Sequence, residues 1–414
     1  MLIRSMAASP AFTPPPGNPR FPLLDSMRGI AAGMIVLCHT AGVSTFSVEN
    51  GLGAYAARLN MGVTLFFLLS GFLLYRPFIA ARLQGRPPIR LRDYTRRRLL
   101  RIVPGYWVAL TLLALWPGLA GLWDGDTWWR YYTFTQTYWQ ESTLFGIPPA
   151  WSLCVEISFY VALPFLAAAL ARLGRGREPR AQVRFELGAL VAIAVACMSF
   201  RTYMQITEGS YVLLNTLLAF IDWFAYGMML AVVSVWWQGR EEDSRVLGVI
   251  ARRPWLPWLV FLVPFWFVAT QLNLPRGFFL VYNSWNYIGE HVLYALCAAL
   301  LLLPAMFGGA RGGWPRTLLA RPALAWFGLV SYGVFLYHAP LLVELNDAGA
   351  IDWIPGSNYV SLTLVTFAVA TACAAASYYL VERPALRFKD RRRGTPKGSS
   401  SVSRSSAARA SAGA

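Results

Sequence analysis

The sequence predicts an all-α polytopic membrane protein, a helix bundle of about ten transmembrane helices with both termini cytoplasmic. Three observations carry that prediction. Apolar residues make up 56% of the 414, with 17 Trp, 19 Tyr and 25 Phe, more than a soluble domain of this length needs in long runs. Ten apolar segments, at about 23–45, 61–81, 99–121, 151–172, 185–204, 211–237, 255–272, 288–307, 319–343 and 359–382, each approach the ~20 residues that a bilayer demands. Finally, basic residues alternate by loop. The N-terminal tail and residues 76–101, 172–184, 240–253, 311–321 and 383–409 hold 32 of the 37 Lys and Arg, whereas the opposite loops hold only Arg58, Arg130, Arg201 and Arg276. The positive-inside rule then places both ends in the cytoplasm and requires an even number of spans. The net charge of +17 follows from this topology and gives no reason to expect nucleic acid as a partner.

Residues 1–22, with Pro14, Pro15, Pro16 and Pro19, read as a disordered tail, and they lack the apolar run of a cleavable signal. The first span, LLDSMRGIAAGMIVLCHT, carries Asp25, Arg28 and His39. Ionisable groups within a span are costly and face a bundle interior or a wet cavity. Arg28 and His39 are eleven residues apart, so they share a helix face with a rise of ~16 Å between them. Gly29, Ala31, Ala32 and Gly33 between them allow other helices to approach closely. The alternative for His39 is a hydrogen-bonded packing residue.

The third span opens on RRRLLRIVP, with Arg98 and Arg101 on one face. Such residues commonly serve topology and anionic lipid; beside Arg28 they would instead form a phosphate-binding mouth on the cytoplasmic side. The outer loop 122–150 is rich in Trp and Tyr, which suits an interfacial belt or, alternatively, stacking on a sugar. The fourth span opens on PPAWSLCVE, where Ser152, Glu156 and Tyr160 form a polar column at i, i+4 spacing. Helix rise sets Glu156 and His39 at similar depths, ~7–8 Å from the outer surface. That depth suggests a His–carboxylate base pair, the alternative being that Glu156 neutralises an arginine.

Asp222 in the sixth span is expected to partner one of the arginines at 28, 98 or 101. His338, in SYGVFLYHAP, is expected to be structural or substrate-lining, with Pro340 breaking the helix and freeing carbonyls for the imidazole. His291, beside Glu290 at an outer helix end, is expected to be interfacial. The three His lie on three spans without HxH or HExxH, so no metal is expected. The five Cys fall in apolar stretches and read as small buried hydrophobes.

Six stretches in order resemble the membrane-bound acyltransferase 3 family, bacterial O-acyltransferases of surface glycans and macrolides. They are LDSMRGIAAGMIVLCH, GVTLFFLLSGFLL, RRLLRIVP, PPAWSLCVEISFY, SYGVFLYHAP and VERPALRF, spanning residues 23–388. The resemblance implies a transmembrane acyltransferase domain at 23–385, between tails at 1–22 and 386–414. It implies an acyl-CoA donor, acetyl-CoA above all, and a hydroxyl acceptor on a carbohydrate or macrolide. His39 falls on the family's catalytic position, Glu156 on its W-S-L-x-x-E motif, and Arg28, Arg98 and Arg101 on its arginine motifs. Asp25, Ser152, Tyr160, Asp222 and His338 are expected to line the substrate path. Thr64 and Phe220 depart from the pattern, standing where many members carry Asp and Arg. The expected setting is the plasma membrane, in the stand-alone form without an SGNH-type hydrolase domain. A proton-coupled carrier is the competing class, since intramembrane Arg, His and Glu also mark relays; a non-catalytic scaffold is a third.

Overall fold

A computed structural model of the chain describes residues 21–277, 284–308 and 312–388. The described residues contain helices and turns and no strand. All ten apolar segments contain a helix: α1 (Leu23–Val43), α2 (Gly62–Leu83), α3 (Leu91–Leu115), α4 (Ala150–Leu173), α5 (Pro179–Ile206), α6 (Ile221–Trp236), α7 (Trp255–Thr270), α8 (Ser284–Met306), α9 (Pro322–Asp347) and α10 (Asn358–Ser377). Eight are long and apolar enough to cross a membrane, and a bent pair raises the number to nine. The tenth, α6, is shorter, at 16 residues. The chain is therefore a multi-pass membrane protein. Nearly all of the tails expected at 1–22 and 386–414 lies outside the described residues; residues 383–387 continue the last span as helix.

The boundaries differ from expectation where local chemistry decides. The helix α3 starts eight residues before the expected 99, with Asp93 in its first turn, a position where a carboxylate favours helix initiation. The sixth segment breaks before α6. Asn215 donates its side-chain amide to the Tyr211 carbonyl (2.9 Å) and Thr216 its hydroxyl to the Leu213 carbonyl (2.9 Å), and such bonds compete with helix continuation. Ahead of α7, a helix at Arg245–Arg252 meets it at 101°, where Pro254 follows Arg253 and cannot continue the backbone ladder.

Two backbone contacts assemble the centre. A Cβ on Gly71 would sit 2.1 Å from the Phe224 carbonyl oxygen and one on Gly227 2.1 Å from that of Leu68, so only glycines allow α2 and α6 to touch this closely. Similarly, Gly328 of α9 packs on the Asp25 carbonyl of α1, and Gly29 faces it. Around them Phe67, Phe159 and Phe224 stack into the main core, with centroids 4.6 and 4.1 Å apart. The fully buried Arg316 donates to the carbonyls of Pro304, Phe307, Ile250 and Ala251 at 2.7–3.2 Å. These include orphan acceptors at helix C-termini, so one guanidinium ties α8 to the bent helix ahead of α7.

Candidate active site

Two adjoining cavities open along α1, one at its Arg28 end and one at its His39 end. The first gathers Asp25 and Arg28 from α1, Ser70 from α2, Arg98 and Arg101 from α3, Ser152, Glu156 and Tyr160 from α4, and Glu382 after α10. The spacing argument holds for each helix: i, i+3 puts Asp25 against Arg28 (3.1 Å), and i, i+4 puts the Tyr160 hydroxyl on Glu156 Oε1 (2.5 Å). The same oxygen accepts from Ser70 Oγ. The Arg98 guanidinium lies over the Tyr160 ring at 6.0 Å, and Tyr94 fixes that helix by donating to the Tyr160 carbonyl at 3.1 Å. Ser152 donates to the Pro149 carbonyl (3.0 Å) within its own first turn. Three guanidinium groups and three carboxylates thus line the cavity, but among the described residues Asp25–Arg28 is the only ion pair that these groups form. Among the described residues, buried Arg98 Nε has no hydrogen-bond partner.

The second cavity is lined by His39 with Arg58, Asn60, Trp151, Arg201, Trp223, Tyr287, Glu290, His291 and Tyr294. His338 is a partner of His39: Nδ1 of the first lies 3.0 Å from Nε2 of the second. The opposite nitrogen of His338 faces the carbonyls of Val334 (3.0 Å) and Phe335 (2.8 Å). Carbonyl oxygens only accept, so His338 Nδ1 carries a proton, and in the neutral ring Nε2 is the acceptor. His39 therefore donates through Nδ1, which leaves its lone pair on Nε2. This tautomer is the one a general base requires, with the second imidazole holding its orientation.

Several sequence-based expectations need correction here. Glu156 does not orient His39: its partners are Ser70 and Tyr160, in the other cavity. Depth estimates place two groups in a layer but not on facing helices. Asp222 does not pair with Arg28, Arg98 or Arg101; it sits 2.8 Å from His291 Nε2 and 3.3 Å from the Cys197 thiol. His291 is consequently not interfacial but 3% exposed, stacked on Trp223 at 4.2 Å. Pro340 does not break α9, and His338 bonds ordinary i−3 and i−4 carbonyls. The Trp residues of loop 122–150 line neither cavity, whereas Trp151 and Trp223 line the second. The departures at Thr64 and Phe220 also have locations. Thr64 is fully buried, and Phe220 packs beneath the guanidinium of Arg201 at 4.9 Å.

The sequence pattern of the acyltransferase 3 family, described as an acyltransferase domain, matches residues 21–379. The chain belongs to that family. Its similarity extends to O-acetyltransferase OatA of Staphylococcus aureus, with 23% identity over 389 residues covering 89% of this chain and 57% of OatA. YrhL of Bacillus subtilis, provisionally named a peptidoglycan O-acetyltransferase, is 23% identical over 396 residues, covering 88% of this chain and 54% of YrhL. The chain thus spans little more than half the length of the curated relatives it matches. No solved structure matches it.

In this acyltransferase 3 member, the functional candidates that sequence reasoning missed are Arg58, Glu290, Arg201 and Glu382. Arg58 and Glu290 form a buried 2.7 Å ion pair beside His39. Arg201 donates to the Ala219 carbonyl at 2.8 Å and to Tyr287. The available signal was their charge within or beside apolar segments; no local spacing joined them. Among the described residues no group of three or more His, Cys, Asp or Glu is placed to hold a metal ion.

Proposed function

We propose that the chain is an integral membrane O-acyltransferase of the plasma membrane, moving an acetyl group from cytoplasmic acetyl-CoA to a hydroxyl of a carbohydrate or macrolide acceptor. The observation that carries this reading is the pairing of two unlike cavities along one helix. An arginine cavity suits the phosphates of CoA, which planar guanidinium groups engage bidentately. Beyond it stands an imidazole whose tautomer suits proton abstraction. The family membership and the names of the relatives support the same reaction class, and they give no support to a carrier.

The proposed steps follow from these positions. Arg28, Arg98 and Arg101 hold the CoA phosphates, and the pantetheine arm extends along α1 over the ~16 Å rise to His39. Tyr160, fixed by Glu156, supports Arg98 from beneath. An acceptor hydroxyl enters the histidine cavity, where Trp151 and Trp223 offer aromatic faces to a sugar. His39 Nε2 takes the hydroxyl proton as oxygen bonds to the thioester carbon. The C–S bond then breaks, and the proton passes to the departing CoA sulfur. A positioned base of this kind contributes about 10²–10⁴-fold.

Mass spectrometry of surface glycans and secreted metabolites from a deletion strain, complemented with wild type or His39→Ala, tests the proposal. Wild type is expected to restore an acetyl mass increment that His39→Ala, expressed and folded, does not. Restoration by His39→Ala at the wild-type level would remove the residue from the chemistry.

A further inference from the structure

The two cavities meet at a single side chain. Phe335 of α9 lines the arginine cavity together with Phe66 and Ile102, and it also lines the histidine cavity together with Ile35 and Val63. Among the described residues no other lines both. Its ring is 8% exposed, set edge-on to Phe66 with centroids 6.0 Å apart and planes at 69°. The ring of His338 also lies 6.0 Å from it, centroid to centroid.

We propose that Phe335 is the partition between donor and acceptor cavities, the side chain an acyl-pantetheine arm must pass and the one that sets which acyl groups reach His39. The inference rests on the acyltransferase reading and adds a residue to it.

The physical case begins with water. A base that activates a sugar hydroxyl activates water equally well, and the thioester would then be lost. Attack by water forms a C–O bond, breaks C–S, and yields free carboxylic acid and CoA thiol. An apolar ring between the cavities keeps the thioester carbon away from His39 and its water until the arm is inserted. Ile35, Val63, Phe66 and Ile102 belong to the same apolar cluster as the ring, surroundings that suit a thin, largely apolar chain and disfavour free passage of ions.

The backbone explains how such a ring moves without disturbing the base. The Phe335 carbonyl accepts from His338 Nδ1 at 2.8 Å, so the main chain at 335 is held by the same bond that fixes the His338 tautomer. Rotation about χ1 and χ2 swings the ring while that bond stays in place. The partition and the histidine pair thus share a backbone anchor but keep separate moving parts.

The test uses full-length protein in proteoliposomes with acetyl-, butyryl- and hexanoyl-CoA as probes, reading CoA affinity and thiol release without an acceptor. Phe335→Ala is expected to raise acetyl-CoA hydrolysis at least fivefold and to admit hexanoyl-CoA. Phe335→Trp is expected to lower the residual hydrolysis at least fivefold, with CoA affinity within twofold of wild type. The double variant Phe335→Ala/His39→Ala should fall back to the wild-type rate or below, because the added hydrolysis runs through His39. Should the alanine variant fail to fold, Phe335→Leu carries the same expectation at reduced size. Hydrolysis and acyl preference unchanged in both the alanine (or leucine) and the tryptophan variants would overturn the partition. Added hydrolysis that persists without His39 would overturn it equally. A wild-type protein that does not bind CoA would instead overturn the acyltransferase reading.

Discussion

The arginine cavity draws on local side-chain pairs that the histidine cavity lacks. In the first, two pairs are local, Asp25 with Arg28 and Glu156 with Tyr160, three and four residues apart, Arg98 and Arg101 share a face of α3, and Ser70 reaches Glu156 over 86 residues. In the second, each pair crosses the chain: His39 with His338 over 299 residues, Asn60 with Tyr294 over 234, Arg58 with Glu290 over 232, and Asp222 with His291 over 69. The difference separates two tasks. Binding phosphate needs several cations close together, and one helix face supplies two of the three, Arg98 and Arg101, with Arg28 added from α1. Fixing an imidazole tautomer needs a partner from another direction, which only the assembled bundle supplies.

The sharpest contrast concerns what each cavity contributes to stability. Arg58 and Glu290 are 5% and 7% exposed, whereas Arg28 and Asp25 are 16% and 39% exposed. Removing one partner of a buried pair leaves an uncompensated charge, at a cost of about 3–5 kcal/mol; the partly exposed Asp25–Arg28 pair is better solvated, and breaking it should cost less. Thermal unfolding in detergent should therefore show a large loss for Glu290→Gln and a clearly smaller one for Asp25→Asn. Equal losses would mean that the two cavities are not mechanically distinct.

Next in size is the second imidazole. His338→Leu removes the acceptor of the His39 Nδ1 proton, and the initial rate of acetyl transfer should drop about 10²-fold, within the range a positioned base contributes. Glutamine at 338 retains a side-chain carbonyl that accepts the same proton, so His338→Gln should recover part of the rate. A lower rate for glutamine than for leucine would break the tautomer argument.

The same contrast explains what was legible from the sequence. The ten helices follow from the hydropathy runs, and helix periodicity gives the local pairs, Asp25 with Arg28, Arg98 with Arg101 and Glu156 with Tyr160, but not the gathering of α1, α3 and α4 around one cavity. His39 could be singled out, but its partner could not. Depth along a span is a single coordinate, and Glu156 matched it while facing another cavity. His291 looked unpartnered because its partner Asp222 lies on α6, and neither α6 nor α8 carries a local mark of their contact. Phe335, apolar in an apolar motif, has no sequence signal at all.

On the arginine side, effects should be smaller and confined to the donor. Arg101→Lys keeps the charge but loses the planar fork that matches phosphate. CoA affinity measured by thermophoresis in detergent should weaken about tenfold, with the unfolding temperature unchanged. An unchanged affinity would place the CoA phosphates elsewhere.

The smallest expected effect is at Glu156. Both of its hydrogen bonds, from Ser70 and from Tyr160, arrive at the same oxygen, Oε1. Glutamine presents a carbonyl oxygen in that place and accepts both, so Tyr160 keeps the orientation that supports Arg98 at 6.0 Å. What is lost is the negative charge, in a cavity that already holds two other carboxylates. Glu156→Gln should thus weaken CoA affinity no more than threefold, roughly 0.6 kcal/mol at RT ln 3, while Glu156→Leu, which removes the acceptor, should weaken it about tenfold. If Glu156 instead oriented His39 across the bundle, the glutamine variant would lower the rate of acetyl transfer by far more than the donor affinity. The ratio of those two effects therefore decides to which cavity Glu156 belongs.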